Sequence, residues 1–253
     1  MNKPKYFASI CLIIRDENKY LKEWLLHHLP LTDHIYIYDN GEKENASDII
    51  SLLSKPDQSK ITIISYKDGY QHIQEEAYNH FLENYGQETI WCAFIDSDEF
   101  ICIDCDKTIR KILTEKDSYN EIQMFWIEYG ANGMAHYDDR PVQERFQTPA
   151  EGKNMRMYKS FIKTDKITRM LSHFPVYDQK NNFCYKDDRM ELFHINHYYT
   201  KSFEEWKEKM YRGSSNPHCL KKFNEFFDYN PDMKYLKDKE KNFHNQTYNA
   251  GYH

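Results

Sequence analysis

An α/β fold, one half of it Rossmann-like, is what this 253-residue sequence predicts, on three observations. Apolar strand-like runs alternate with amphipathic helical runs through the first hundred residues. The fourth strand-like run, residues 91–95, stops abruptly at Asp96-Ser97-Asp98-Glu99. No apolar run approaches the roughly 18–20 residues that a membrane-spanning helix needs.

Tyr6–Ile14 is β-rich and apolar and reads as a buried strand. Asn18–His28 follows as a helix, with Tyr20, Leu21, Trp24, Leu25 and Leu29 at helical spacing and Pro30 ending it. Residues 35–38 form a second strand, closed by the turn signal Asp39-Asn40-Gly41. A short helix over 46–53 takes Asn45 as its cap, and Ile61–Ser65 is the third strand. Residues 71–85 carry Ile73, Ala77, His80, Phe81 and Asn84 near one helical face. Alternation of this kind implies parallel strands joined by right-handed crossovers.

The second half is less regular. Residues 121–129, 155–163 and 190–196 read as strands. The polar stretch 130–152 is too long for an idle connection and is a candidate substrate loop or lid. Residues 202–212 form a helix capped by Ser202, with Glu204 and Glu205 in its first turn and Gly213 closing it. The charged tail after Tyr229 is expected to lie on the surface or fray.

The strand end at 96–99 carries the chemistry. A strand in an open α/β sheet delivers ligand-binding residues at its carboxyl end. If the extended conformation persists, Asp96 and Asp98 project to one side, and two close carboxylates call for a cation between them. Hard oxygen ligands suit Mg²⁺ or Mn²⁺, which bridge readily to phosphates. The pattern alone decides little: with 20 Asp in the chain, chance supplies about 1.6 such pairs. The second pair, Asp104/Asp106, precedes a helical run and reads instead as an N-cap at Asp106.

A net charge of −6 argues against nucleic acid as a partner. Six Cys with no secretory leader point to reduced thiols and a cytoplasmic protein. Cys102 and Cys105 form a C-x-x-C, but no second pair stands at zinc-site spacing.

Several blocks, taken in order, resemble a known family. They are Ile13-Ile14-Arg15-Asp16-Glu17-Asn18 with Tyr20-Leu21, Glu23-Trp24 and His28; Ile37-Tyr38-Asp39-Asn40; and Phe94 through Phe100. Gln143-Glu144-Arg145-Phe146, Lys159-Ser160, Ser172-His173-Phe174 and His197 through Ser202 follow, then Glu205-Trp206, Lys209 and Arg212-Gly213. Together they resemble glycosyltransferase family 92 and its bacterial relatives in the wider family 2 group. Relatives often carry Lys-Asn-Glu where this chain has Arg15-Asp16-Glu17.

The resemblance implies a GT-A fold: a nucleotide-binding half with a mixed central sheet, merged with a smaller acceptor-binding half. It places the nucleotide-sugar half at about residues 1–105, the acceptor half at 106–230 and a charged tail at 231–253, all within one integrated domain. It implies transfer of a hexose, with galactose a candidate, from a UDP-sugar to a glycan or lipid-linked glycan acceptor, with Mn²⁺ or Mg²⁺ and with inversion. The short form lacks the anchor and stem of animal relatives, so it resembles bacterial enzymes of surface-polysaccharide synthesis. Such an enzyme works in the cytoplasm or at the inner face of the membrane, with peripheral contact through Tyr and Lys near its end.

Residue roles follow from the resemblance and the chemistry together. Asp96 and Asp98 are the expected metal ligands, with Asp98 the more direct and Asp96 facing the ribose or the metal. His197 is the expected histidine ligand; His173 and His194 are alternatives, and a structural role is open for each. Arg15, Glu17 and Asp39 are expected to frame the nucleotide, although Asp39 also suits plain turn chemistry. Lys201 and Arg212 are candidates for the departing diphosphate. Glu144 is the candidate catalytic base, with Asp138 and Asp139 nearby, or else a surface ion pair. Two other functions use the same features: a metal-dependent nucleotidyltransferase or sugar-nucleotide hydrolase, and a non-catalytic nucleotide- or glycan-binding module.

Overall fold

The computed structural model describes residues 3–67, 72–150, 157–178, 183–213 and 222–239. The chain forms two compact units, Met1–Ile127 with Arg156–His197, and Glu128–Met155 with Tyr198–His253.

The first unit begins with β1 (Tyr6–Ile14), α1 (Asn18–His28), β2 (His34–Asp39), α2 (Ala46–Ile50), α3 (Lys55–Gln58), β3 (Ile61–Ser65) and α4 (Ile73–Asn84). It continues through β4 (Thr89–Phe94), β5 (Glu99–Ile103), α5 (Ile109–Glu115) and β6 (Glu121–Glu128). Then come β7 (Tyr158–Lys163), β8 (Ile167–Met170), β9 (Pro175–Tyr177), β10 (Cys184–Lys186) and β11 (Phe193–His197). Among the described residues the main sheet runs β3-β2-β1-β4-β7-β6-β11-β5, with β10 beside β6. The expected mixed α/β sheet is therefore present. β3, β2, β1 and β4 are parallel, whereas β7 lies antiparallel to β4 and to β6.

Parallel central strands are apolar on both faces because helices cover both. One core layer joins Cys11, Tyr36, Tyr38, Tyr78, Phe81, Cys92 and Phe94. Elsewhere in this unit α1 buries Leu21, Trp24 and Leu25 completely. Its His28 is also buried. His28 Nε2 accepts from Ile101 N at 3.2 Å, so Nδ1 carries the proton and donates to Trp24 O at 2.9 Å. Burial, and then the neighbouring His27, hold this imidazole neutral well below the usual range.

His34 behaves the same way. It stacks on Tyr6 at 4.3 Å, bonds Thr62 Oγ1 at 2.8 Å, and burial lowers its pKa to about 4. The unfolded chain takes a proton on this side chain near pH 6.5 while the folded chain does not. Its contribution is therefore complete above pH 6.5 and is lost as the pH falls toward 4. His34→Phe keeps the stacking and removes the titration. Urea denaturation of both proteins at pH 7.0 and 5.0 is expected to show wild type losing about 1.4 kcal/mol more per pH unit below 6.5.

Several sequence expectations give way locally. The helix after Asp106 begins at Ile109 and is capped by Thr108, whose hydroxyl accepts from Lys111 N at 3.2 Å. Asn45 makes no side-chain cap bond; the first N–H of α2, on Ala46, donates instead to Asp39 Oδ2, and α2 ends at Ile50. Asp104 is bound to His194 Nδ1 at 2.6 Å, which ties together the paired strands β5 and β11. Among the described residues Cys102 and Cys105 are free thiols; Cys219 lies outside those residues.

The second unit contains α6 (Val142–Arg145), α7 (Phe203–Arg212), α8 (Phe226–Tyr229) and α9 (Leu236–Lys239). Ser202 and Glu205 form the expected capping box on α7, and Gly213 ends it at φ 83°. The polar stretch from 130 is anchored within this unit: Ala131, Val142, Arg145 and Phe146 are buried. The tail after Tyr229 is described as far as Lys239, and residues 240–253 lie outside the described residues. Met233 and Leu236 pack with Phe203, Trp206, Phe223, Phe226 and Phe227, since their apolar surface is worth more buried than exposed.

Candidate active site

Three loops follow the carboxyl ends of the adjacent parallel strands β1, β2 and β4, and side chains stitch them together. Asp16, at φ 49°, accepts the backbone N–H groups of Glu42, Lys43 and Glu44 at 2.9, 2.9 and 3.1 Å. A short-chain Asp tolerates the left-handed conformation, and here it organises the loop after β2. Glu17 is buried and accepts from the Ser97 hydroxyl, joining the β1 loop to the Asp96-Ser97-Asp98 turn. Asp39 uses both oxygens on the backbone, from Gly41 N at 2.8 Å and Ala46 N at 2.9 Å, with Lys67 Nζ 3.6 Å away. Arg15 pairs with Glu42 at 2.7 Å at the surface.

The strand does not stay extended through the two aspartates. β4 ends at Phe94, and Glu99 N bonds Asp96 O at 3.1 Å, closing a turn into β5. The alternation expected from strand geometry is therefore broken, and each aspartate has its own surroundings. Asp96 faces Lys159 Nζ at 3.1 Å through Oδ2 and Gln74 Nε2 at 2.6 Å through Oδ1. Asp98 Oδ1 lies 3.6 Å from His197 Nε2, longer than a hydrogen bond. His197 arrives there because β11 runs antiparallel to β5 with His197 opposite Glu99.

Behind them the site is buried and polar. Lys159 is 1% exposed and also lies 3.9 Å from the fully buried Glu99. Burial alone would depress its ammonium, but Asp96 and Glu99 more than offset that and raise its pKa. Burial pushes the Glu99 carboxyl up to about 8 against the pull of Lys159. Trp126 packs on His197 at 4.3 Å and meets His173 at 5.9 Å. Burial, and then the charge of Lys159, lower the His173 pKa to about 4. Glu99 Oε1, Trp126 Nε1 and His173 Nδ1 are buried without a hydrogen-bond partner among the described residues.

The first unit thus brings together Asp96, Asp98, His197 and His173, with Glu17 and Asp39 in the neighbouring loops. His194 is instead engaged with Asp104 and Asn196. Glu144, Lys201 and Arg212 belong to the second unit. There Glu144 is exposed in α6 beside Asp138 and Asp139 in sequence, Lys201 is buried at φ 53°, and Arg212 sits in the last turn of α7. Sequence reasoning assigned no role to Lys159, Gln74 or Trp126. For Lys159 the available signals were its place in the family-like Lys159-Ser160 block and a charge within the apolar strand Tyr158–Lys163. Among the described residues no group of three or more His, Cys, Asp or Glu side chains is arranged to hold a metal ion, and no helix is long and apolar enough to cross a membrane.

The mixed sheet, with parallel strands whose carboxyl ends carry acidic loops, is a GT-A-like α/β fold. The family model for glycosyltransferase family 92 matches residues 6–243, and the chain belongs to that family. It is 26% identical over 217 residues to a glycosyltransferase family 92 protein of Ricinus communis, covering 80% of this chain and 37% of the relative. Family 92 proteins of Oryza sativa subsp. japonica and Arabidopsis thaliana are 21% and 22% identical, over 82% of this chain in each case and 35% and 38% of theirs. The chain spans little more than a third of the length of these curated relatives.

Proposed function

We propose that this chain is a metal-dependent glycosyltransferase that moves a hexose, with galactose the first candidate, from a UDP-sugar to a glycan acceptor. The observation that carries the reading is the Asp98–His197 pair, set beside Asp96 at the carboxyl edge of the sheet in a family 92 chain. One carboxylate oxygen and one imidazole nitrogen form a mixed donor set, which favours Mn²⁺ over the strictly oxygen-seeking Mg²⁺. These ions commonly take only one or two protein ligands and fill the remaining positions with phosphate oxygens and water. When bound, the cation neutralises charge on the departing diphosphate.

The chain's own groups do the rest. Trp126 fixes the His197 ring by packing on it, and Glu17 holds the turn that presents Asp98 through Ser97. Asp96, partly exposed, is an acceptor for a hydroxyl of the donor. We extend the reading to inversion at the sugar carbon and to a glycan or lipid-linked acceptor of a bacterial surface polysaccharide, made in the cytoplasm at the inner membrane face.

Titration calorimetry of UDP into wild type and Asp98→Ala, with Mn²⁺ and with EDTA, tests the core of the proposal. Binding is expected with Mn²⁺, absent with EDTA and weakened at least tenfold in the variant. A wild-type protein that binds no UDP under any metal condition would refute the UDP-sugar assignment.

A further inference from the structure

Lys159 is an unusual resident of this sheet. It sits on β7, next to β4, with its side chain 1% exposed and its ammonium among carboxylates that belong to the acidic turn. Nζ lies 3.1 Å from Asp96 Oδ2 and 3.9 Å from Glu99 Oε2. The other oxygen of Asp96 is held by Gln74 Nε2 at 2.6 Å, with Tyr78 OH at 3.4 Å. Two neighbours on opposite oxygens fix the carboxylate plane, and the lysine charge already balances it. A divalent cation drawn to Asp96 would meet that buried ammonium, and like charges repel more strongly where one of them is shielded from solvent. Asp98 Oδ1 lies 3.6 Å from the imidazole nitrogen Nε2 of His197.

Resting on the proposed nucleotide-sugar site, we infer that Lys159 is a positioning residue that divides the work of the two aspartates. It withholds Asp96 from the cation, leaving Asp98 and His197 as the protein ligands and Asp96 as a fixed acceptor for a donor hydroxyl. Asp96 keeps the capacity for that bond. Its side chain is 29% exposed, and a carboxylate offers about four acceptor sites, not all of which Lys159, Gln74 and Tyr78 fill.

The test reads metal dependence apart from turnover: the Mn²⁺ concentration giving half-maximal UDP binding, by calorimetry, and the UDP dissociation constant at saturating Mn²⁺. Asp98→Asn is expected to raise the Mn²⁺ requirement at least tenfold. Asp96→Asn should leave it within twofold while weakening UDP about tenfold. Lys159→Met releases Asp96 toward the cation and should lower the Mn²⁺ requirement about fivefold, an effect that Asp96→Asn in the same chain cancels. A purely structural lysine would instead raise the requirement or leave it unchanged. Should Lys159→Met fail to fold, Lys159→Gln, which removes the charge but keeps a polar side chain, is read in its place with the same expected fall in Mn²⁺ requirement. Equal loss of Mn²⁺ dependence in Asp96→Asn and Asp98→Asn would overturn the division of roles while leaving the UDP site standing. A wild-type protein without Mn²⁺-dependent UDP binding would overturn both.

Discussion

Glu205→Ala is expected to lower the unfolding free energy by about 3–5 kcal/mol, among the largest losses a single substitution here can produce. Glu205 and Arg145 are each 1% exposed and form a two-pronged pair, Nη1 to Oε2 at 2.8 Å and Nη2 to Oε1 at 3.0 Å. The same carboxylate accepts Ser202 N at 3.0 Å and so closes the capping box of α7. Its removal takes the counter-charge from a guanidinium buried inside the second unit, whose Nε donates to the Arg140 carbonyl at 2.9 Å. A desolvated charge without its counter-charge accounts for most of the loss, and the missing cap adds about 1 kcal/mol. Urea denaturation, with amide exchange along α7, measures it. Arg145→Met combined with Glu205→Leu should recover most of the loss, because a packed apolar pair carries no desolvation penalty. A double variant as unstable as Glu205→Ala would shift the explanation to the cap.

That pair shows where the sequence was legible. Ser202 and Glu205 stand three residues apart, and their capping role depends on local geometry, so it could be read directly. Arg145 lies 60 positions away and was seen only as the neighbour of Glu144. The acidic strand end followed the same rule. Apolar residues announced β4 and three carboxylates announced its edge, but the turn that separates Asp96 from Asp98 depends on distant partners. Lys159 comes from 63 residues away, Gln74 from 22 and Glu17 from 80. Asp16 illustrates the converse. It stands where relatives often carry Asn, and the structure uses it to gather three backbone donors. Periodicity reports which face is buried, whereas the contents of a site are set by which strands become neighbours.

Trp24→Ala is the second large expected effect, and it links the core of the first unit to its chemistry. Trp24 is fully buried in α1, so truncation costs about 3–5 kcal/mol through lost contacts and the cavity left behind. Its indole also donates to the Glu99 carbonyl at 2.9 Å, and its ring packs on His28, which accepts from Ile101 N. Trp24 and His28 therefore hold the backbone at the start of β5, one residue beyond Asp98. A shift of about 1 Å in a binding group costs on the order of 100-fold in function. The variant should thus lose Mn²⁺-dependent UDP affinity by at least tenfold even at temperatures where it remains folded. Leu25→Ala is the control, since Leu25 is equally buried in the same helix and has no polar group to offer β5. Calorimetry on both variants, each checked for folding by circular dichroism, separates the two effects. Loss of affinity confined to Trp24→Ala places α1 in the support of the site. Equal loss in both would mean that affinity follows global stability and that the indole bond is only part of the core.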